Sequence, residues 1–236
     1  YKLDRKWFAN FQVVIGDEAH QFKSKSLVNI MTKMADTKYR YGFTGTLDGT
    51  QTHKWVLEGL FGPSYKIIST KKLQDAGYLA KLNIKVLLMK HGPQKFDLYE
   101  DEVQYIINNE KRNKFIKNLA HDLKGNTLIL YSRVVTHGQV LFDLINTGNR
   151  KVFFVHGGVD AQEREEVRRI TETEKDAIIV ASFGTFSTGI NIKNLHNIIF
   201  ASPSKSRIRT LQSIGRVLRK GNNKVSATLF DIADDT

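Results

Sequence analysis

The sequence contains no cysteine, and this absence excludes both disulfide bonds and thiolate metal sites. It also has no apolar run long enough to cross a bilayer, and its first residues do not have the pattern of a signal peptide. We therefore expect a protein of the cytoplasm, a reducing compartment, with no membrane partner.

Acidic residues are scarce relative to basic ones. The 236 residues include 36 Lys and Arg but only 24 Asp and Glu, which gives a formal net charge of +12. A surplus of this size indicates a polyanionic partner and favours nucleic acid over a membrane surface. The hydrophobic fraction of 41% is sufficient for one large domain or two small ones.

Short apolar runs alternate with amphipathic segments along the chain. The runs that we predict to be strands are 11–15, 39–43, 65–68, 84–89, 127–131, 151–155, 177–181, 197–201 and 225–232. Strands that alternate with helices predict an α/β fold of parallel sheets with helices on both faces. A break at His91-Gly92-Pro93 suggests a first domain at 1–90, a linker at 91–114 and a second domain at 115–236.

Two acids, Asp17 and Glu18, directly follow the first apolar run in the stretch F-Q-V-V-I-G-D-E-A-H, and His20 comes two residues later. In open α/β sheets, ligands bind at the carboxyl ends of the strands. Adjacent acids are costly to bury without partners, and Mg²⁺ prefers carboxylate and water oxygens. A solvated loop would explain a lone Asp-Glu pair more simply, so the interpretation depends on other motifs.

A small hydroxyl-bearing loop, Thr44-Gly45-Thr46, follows the next apolar run. It lies one helix and one strand after the acids, which is the spacing of a βαβ unit. Its hydroxyl groups could bond a neighbouring loop or a phosphate. Taken alone, the loop would be interpreted as an ordinary glycine turn.

Three strand exits in the second half of the chain carry hydroxyl groups, glycines and one arginine. They are Ser132-Arg133, His156-Gly157 and the stretch from Ser182 to Thr185. Hydroxyl groups, backbone N–H groups and arginine side chains are the groups that contact phosphate oxygens in protein–nucleic acid complexes. Each loop could be a simple turn, but the three together favour a track for a nucleic-acid backbone.

The stretch Q-S-I-G-R-V-L-R places Gln212, Arg216 and Arg219 at positions i, i+4 and i+7 of a predicted helix. These positions share one helix face. Two arginines on one face match an oxygen-rich anion such as a triphosphate. A basic helix with solvated arginines is the alternative for this stretch alone.

These motifs, together with S-x(6)-G-I-N from Ser182 to Asn191, occur in the order found in superfamily 2 helicases and translocases. The chain resembles this family from Phe11 to Arg219, and the resemblance implies RecA-like lobes. It also implies that Asp17 holds the Mg²⁺ of Mg·ATP and that Glu18 orients or deprotonates the attacking water. His20 would link the nucleotide site to the second lobe.

The resemblance implies roles for the other motifs as well. Thr44, Gly45 and Thr46 would couple the nucleotide site to the nucleic-acid site. Gly189, Asn191 and Gln212 would face the nucleotide, and Arg216 and Arg219 would act on the γ-phosphate. The residues that would grip one strand through its phosphates are Ser132, Arg133, His156, Gly157, Ser182 and Thr185.

The chain departs from the family pattern at several positions. Asn191 replaces a common Asp, Ser182 replaces a common Thr, and no G-x-x-x-x-G-K-[ST] phosphate loop occurs anywhere. We therefore expect a truncated first lobe, at 1–90, and a complete second lobe. The chain would then be a fragment, inactive alone, of a larger ATP-dependent enzyme.

The motifs D-E-A-H, T-G-T-L-D-G-T and G-R-V-L-R-K-G most resemble those of bacteriophage members of the family that remodel branched recombination and replication-fork DNA. The expected cofactors are ATP and Mg²⁺, and the expected partner is DNA, branched or in an RNA–DNA hybrid. A phage protein of this kind would act in the host cytoplasm. Two alternatives stay open: a double-strand DNA translocase without unwinding, and a non-catalytic nucleic-acid-binding module on a degenerate scaffold.

Overall fold

A computed structural model describes residues 2–47, 49–189, 192–204, 206–220 and 224–236. The chain divides into two compact units, Tyr1–Ser69 and Thr70–Thr236. No helix in the described ranges is long and apolar enough to span a membrane.

The first unit is built around two short parallel strands. Its elements are α1 (Arg5–Phe8), β1 (Val13–Gly16), a 3₁₀ turn (Ala19–Gln21), α2 (Lys25–Lys33), β2 (Tyr39–Gly42) and α3 (Gln51–Phe61). Strand β1 pairs with β2 in register, with Gly16 beside Gly42. A Cβ atom at either glycine would lie 2.9 Å from the ring of Phe61, so α3 packs against this face only because both strands end in glycine.

The other face of this small sheet is apolar and exposed. Val13, Ile15, Tyr39 and Tyr41 keep between 44% and 65% of their surface accessible. Two strands can bury only one face against a single layer of helices, and an isolated pair of strands is marginally stable in water. The first unit therefore presents an uncovered sheet face.

The second unit contains a six-stranded sheet. Its elements are α4 (Thr70–Asp75), β3 (Lys81–Lys90), α5 (Tyr99–Asn108), α6 (Glu110–Asp122), β4 (Thr127–Tyr131), a π-helical turn (Val134–Gln139), α7 (Val140–Ile145), β5 (Val152–Val155), α8 (Ala161–Thr173), β6 (Ile178–Ser182), α9 (Phe183–Gly189), β7 (Asn197–Phe200), α10 (Arg207–Val217) and β8 (Ser226–Asp235). The strands run in the order β3-β8-β7-β4-β6-β5, and every neighbouring pair is parallel.

Helices cover both faces of the central strands of this sheet, whereas Ile84, Val86 and Leu88 on the edge strand β3 stay exposed. Leu128 and Leu130 of β4 belong to one core, which includes side chains of α8, α9 and α10. Ile129, between them in sequence, belongs to a second core with side chains of α6 and α7. Because successive residues of a strand face opposite sides, a strand buried on both faces is apolar at every position. The predicted α/β class, with helices on both sides of parallel strands, is confirmed.

The division between the units differs from the predicted boundary near residue 90. Strand β3 pairs with β8 over ten residues, from Lys81 beside Ser226 to Lys90 beside Asp235, so it belongs to the second sheet. The predicted linker at 91–114 includes α5 and the start of α6, and Arg112 there is fully buried. An apolar run does not reveal its partner strand when that partner lies far away in sequence. The run at 65–68, which was expected to be a strand, is not one in the structure.

Candidate nucleotide and nucleic-acid sites

The exit of β1 is a sharp turn at Glu18. Glu18 has φ 48° and ψ 47°, and it is the only non-glycine residue with positive φ in the described part of the chain. This left-handed conformation costs about 1–3 kcal/mol for such a residue and is found disproportionately at functional sites. Its backbone N–H donates to Asp17 Oδ1 at 2.8 Å. Asp17 is exposed and the Glu18 side chain is 47% exposed, so both carboxylates are accessible.

A buried histidine joins this turn to the Thr44-Gly45-Thr46 loop. His20 Nδ1 lies 3.0 Å from Thr44 Oγ1 and 3.2 Å from Glu18 Oε2. Thr44 Oγ1 donates its proton to the carbonyl of Thr46 at 2.9 Å, so it accepts from His20. The proton of the imidazole is therefore on Nδ1, where it is shared between Thr44 and Glu18. The family resemblance implied that His20 links the nucleotide site to the second lobe. The contacts that the structure shows for His20 are those with Thr44 and Glu18, within the first unit.

The donor set at this turn fits magnesium better than zinc. Mg²⁺ in nucleotide sites is usually held by one or two carboxylates and completes its shell with water and phosphate oxygens. Asp17 supplies one exposed carboxylate, and only its Oδ1 receives a backbone N–H. Within the described ranges, no group of three His, Cys, Asp or Glu side chains could hold a metal ion. A closed zinc site needs four such ligands.

The three predicted phosphate loops lie side by side, because β4, β6 and β5 are neighbours in the sheet. Ser182 Oγ donates to Thr185 Oγ1 at 2.8 Å and accepts from the Thr185 N–H at 3.2 Å. A Cβ atom at Gly157 would lie 4.0 Å from Thr185 Oγ1, so the β5 and β6 exits are in contact distance. His156 Nδ1 accepts from the Gly158 N–H at 3.1 Å, which fixes its ring beside the loop.

Arg133, at the β4 exit, is paired with an acid that the sequence did not reveal. Its guanidinium donates to the carboxylate of Glu100 on α5. This hydrogen bond lowers the pKa of Glu100 below its ordinary value. Glu100 lies 33 residues earlier in the chain, within the stretch interpreted as linker, and no local pattern predicts the contact.

The prediction that Arg219 shares a helix face with Gln212 and Arg216 is wrong. Helix α10 ends at Val217, so Gln212 and Arg216 share a helix face but Arg219 lies beyond the helix. Arg219 instead forms an antiparallel bridge with Leu79, next to which the Ala80 N–H donates to the Leu218 carbonyl at 2.8 Å. Because this non-local pairing ends the helix at Val217, Arg219 does not occupy position i+7 of the helix.

Lys224 ties the end of α10 to a second segment. Its ammonium donates to the carbonyls of Val217, of Arg219 at 3.3 Å and of Lys193 at 3.4 Å, and the residue is only 4% exposed. Burial lowers the pKa of Lys224 to about 8. A cation at a helix C-terminus binds the carbonyl groups that have no intrahelical partner. Gly189 is the last residue of α9, and Asn191 lies outside the described residues.

Comparison with known proteins identifies a helicase domain within the second unit. Residues 110–221 match the helicase conserved C-terminal domain. The chain is 36% identical over 240 residues to the ATP-dependent DNA helicase uvsW of Enterobacteria phage T4, covering 99% of this chain and 48% of that protein. The chain belongs to the superfamily 2 helicases. The match includes both units, although the matched domain itself lies within the second.

Other superfamily 2 proteins and related structures share the fold. The crystal structure of T4 UvsW superposes with a TM-score of 0.58 at 34% identity, covering 99% of this chain and 47% of that one. The DNA-bound Type ISP restriction-modification enzyme LlaBIII gives a TM-score of 0.63 at 14% identity, covering 95% and 18%. The ATP-dependent RNA helicase SUB2 of Kluyveromyces lactis is 27% identical over 63% of this chain and 32% of its own length. The chain spans about half the length of the T4 helicase, and its second unit has the RecA-like fold of a helicase C-terminal lobe.

Proposed function

We propose that the protein containing this chain is an ATP-driven DNA helicase that remodels branched recombination or replication-fork DNA. The observation that carries the proposal is the contact of His20 with both Glu18 and Thr44. An acid suited to activating water is thereby connected to a second loop, as a motor that couples hydrolysis to movement requires. The identity with the T4 DNA helicase supports DNA as the partner.

In this proposal, Asp17 holds the Mg²⁺ of Mg·ATP through its exposed carboxylate, and Glu18 orients or deprotonates the attacking water. Bound magnesium would neutralise charge on the phosphate oxygens. If Glu18 changed its contacts, the hydrogen bond between His20 and Thr44 would change as well, because the Nδ1 proton of His20 is shared between Glu18 and Thr44. The family resemblance assigns contacts with the nucleotide to Gly189, Asn191 and Gln212, and action on the transferring phosphoryl group to Arg216 and Arg219.

The nucleic-acid partner is assigned to the neighbouring exits of β4, β6 and β5. Ser132 offers an exposed hydroxyl, the glycine of the β5 exit a backbone N–H, and Arg133 a guanidinium. Thr185 is only 6% exposed and supports this track through its hydrogen bonds with Ser182. These groups bind phosphates and do not distinguish bases, so we expect little sequence preference. The net charge of +12 supports the same assignment.

The chain would be one part of that enzyme. It has no G-x-x-x-x-G-K-[ST] loop and spans 48% of the T4 relative. The exposed face of β1 and β2 supports the view that further strands and helices cover the first unit in the full-length protein. We expect the chain alone not to hydrolyse ATP, because the phosphate-binding loop is missing.

The test is an assay of the full-length protein on a labelled fork DNA with ATP. We expect ATP-dependent displacement of one strand, and none with a non-hydrolysable ATP analogue. DNA-stimulated ATP hydrolysis that displaces a bound third strand but never separates a duplex would instead establish a double-strand translocase. DNA binding with no ATP hydrolysis would establish the non-catalytic module and overturn the proposal.

A further inference from the structure

The π-helical turn after β4 contains a buried histidine that no motif includes. We propose that His137 is a positioning residue, which fixes the Ser132-Arg133 exit in the shape that a nucleic-acid phosphate requires. The inference rests on the proposed function, because it assigns a role at the nucleic-acid track. It adds a residue that itself touches no ligand.

His137 is connected to the exit through Ser202. Its Nδ1 lies 2.8 Å from Ser202 Oγ, and Ser202 Oγ accepts from the Ser132 N–H at 3.1 Å. On the other side of the ring, Nε2 lies 3.3 Å from Asn113 Oδ1 on α6. His137 thus joins three elements: the β4 exit, the segment after β7, and the start of α6.

The direction of each hydrogen bond follows from the chemistry of the partners. Asn113 Oδ1 can only accept, since its Nδ2 donates to the Ile107 carbonyl at 2.9 Å. The imidazole proton is therefore on Nε2, and Nδ1 is a bare acceptor. Ser202 must then donate its hydroxyl proton to Nδ1, which leaves its lone pairs directed to the Ser132 N–H.

The surroundings keep His137 neutral. The residue is fully buried, and burial together with the positive charge of Arg112 lowers the pKa of His137 to about 3. The Arg112 guanidinium donates to Asp234 Oδ1 at 2.8 Å, so this carboxylate is paired with Arg112. The single-donor, single-acceptor form of the imidazole therefore persists at any working pH.

The backbone on the far side of the exit is also held by this turn. The Gly138 N–H donates to the Arg133 carbonyl at 2.8 Å, and the His137 N–H does so at 3.3 Å. A Cβ atom at Gly138 would lie 2.4 Å from the ring of Tyr131, so this close approach of the turn to β4 requires glycine. The backbone at both ends of the two-residue exit is hydrogen-bonded within the protein, so the exposed Ser132 hydroxyl, and the Arg133 guanidinium once a phosphate displaces Glu100, are held in place to meet that phosphate.

The experiment measures binding of labelled single-stranded DNA to this 236-residue chain by fluorescence anisotropy at low salt. His137→Phe keeps a flat ring but removes both polar atoms, and we expect it to weaken binding about fivefold, because the Ser202 hydroxyl loses the partner that orients it towards the Ser132 N–H. His137→Gln keeps a donor and an acceptor, and we expect binding within about twofold of the original. The matched control is His121→Gln on α6, whose Nε2 contacts the Ile145 carbonyl at 3.0 Å, outside the exits.

A double-mutant cycle separates positioning from general loss of structure. If His137 acts through the exit, His137→Phe should cause no further loss in an Arg133→Ala background, because residues in one network are non-additive. An equal fivefold loss in both backgrounds, or unchanged binding by His137→Phe, would overturn the inference. If Arg133→Ala itself has no effect, the proposed phosphate track fails and the inference fails with it. Thermal unfolding checks each variant, and Ser202→Ala replaces His137→Phe in the cycle if that variant does not fold.

Discussion

The ion pair between Arg133 and Glu100 would compete with a ligand phosphate for the Arg133 guanidinium. The carboxylate of Glu100 offers the Arg133 guanidinium the same kind of paired oxygens that a phosphate offers. The two side chains are 35% and 55% exposed, so solvent screens the pair and its strength is modest. If the proposed phosphate track uses Arg133, DNA must displace this carboxylate, and Glu100 would then lower the apparent affinity of the track for DNA.

Replacement of Glu100 by glutamine should strengthen DNA binding. The variant removes the competing charge and leaves Arg133 available, so we expect affinity for single-stranded DNA to rise about two- to fivefold at low salt and less at high salt. Anisotropy titrations of this chain measure the change. The control is Glu165→Gln, which also removes one negative charge from an exposed pair, with Arg168 on α8. Equal gains in the two variants would show a non-specific charge effect and contradict the competition.

At the scale of elements, the end of α10 determines where the second arginine lies. Helix α10 stops at Val217 because the chain there pairs with residues near Leu79 and is held by the Lys224 ammonium. Arg219 is positioned by this pairing, whereas Arg216 is positioned by the helix itself. The two arginines therefore depend on different parts of the fold.

Arg216→Ala and Arg219→Ala in the full-length protein should each reduce ATP turnover and leave DNA binding nearly unchanged. Arginines that act on the transferring phosphoryl group are needed mainly in the transition state, and their loss can lower turnover by roughly 10³-fold. Lys224→Met should reproduce a smaller part of the Arg219→Ala loss, because it releases the backbone of that residue. Lys114→Met, on an exposed α6 side chain, is the control. Weakened DNA binding with full turnover would place these residues on the nucleic-acid track instead.

Local pattern predicted most of the second sheet but not its long-range contacts. The runs at 127–131 and 177–181 are buried on both faces, and such runs can be recognised because every position is apolar. Strand β3 joins the second sheet, and α10 ends where it does, because of pairings between residues more than 130 positions apart in sequence. One of these pairings is the bridge between Leu79 and Arg219. The acids and loops of the candidate sites were found from strand exits, whereas Glu100, His137 and Lys224 reach those sites only through folding.

At the scale of the whole molecule, the two units differ in how fully they bury their apolar surface. The second unit has helices on both faces of its central strands and two cores, and its exposed apolar side chains include Ile84, Val86 and Leu88 on the edge strand β3. The first has one exposed apolar sheet face beside the turn that holds Asp17 and Glu18. Under the proposed function, the chemical step would take place at this turn, and further parts of the full-length protein would complete its surroundings.

The role proposed for Glu18 is tested most directly by steady-state, DNA-stimulated ATP hydrolysis by the full-length protein carrying Glu18→Gln. Glutamine keeps the size of the side chain but cannot accept a proton, so turnover should fall by a factor of roughly 10² to 10⁴ while ATP binding is retained. Asp36→Asn, an exposed acid of the same unit paired with Arg5, should behave as the original protein does. Hydrolysis by Glu18→Gln within a few-fold of the original rate would contradict the assignment of Glu18 to the attacking water.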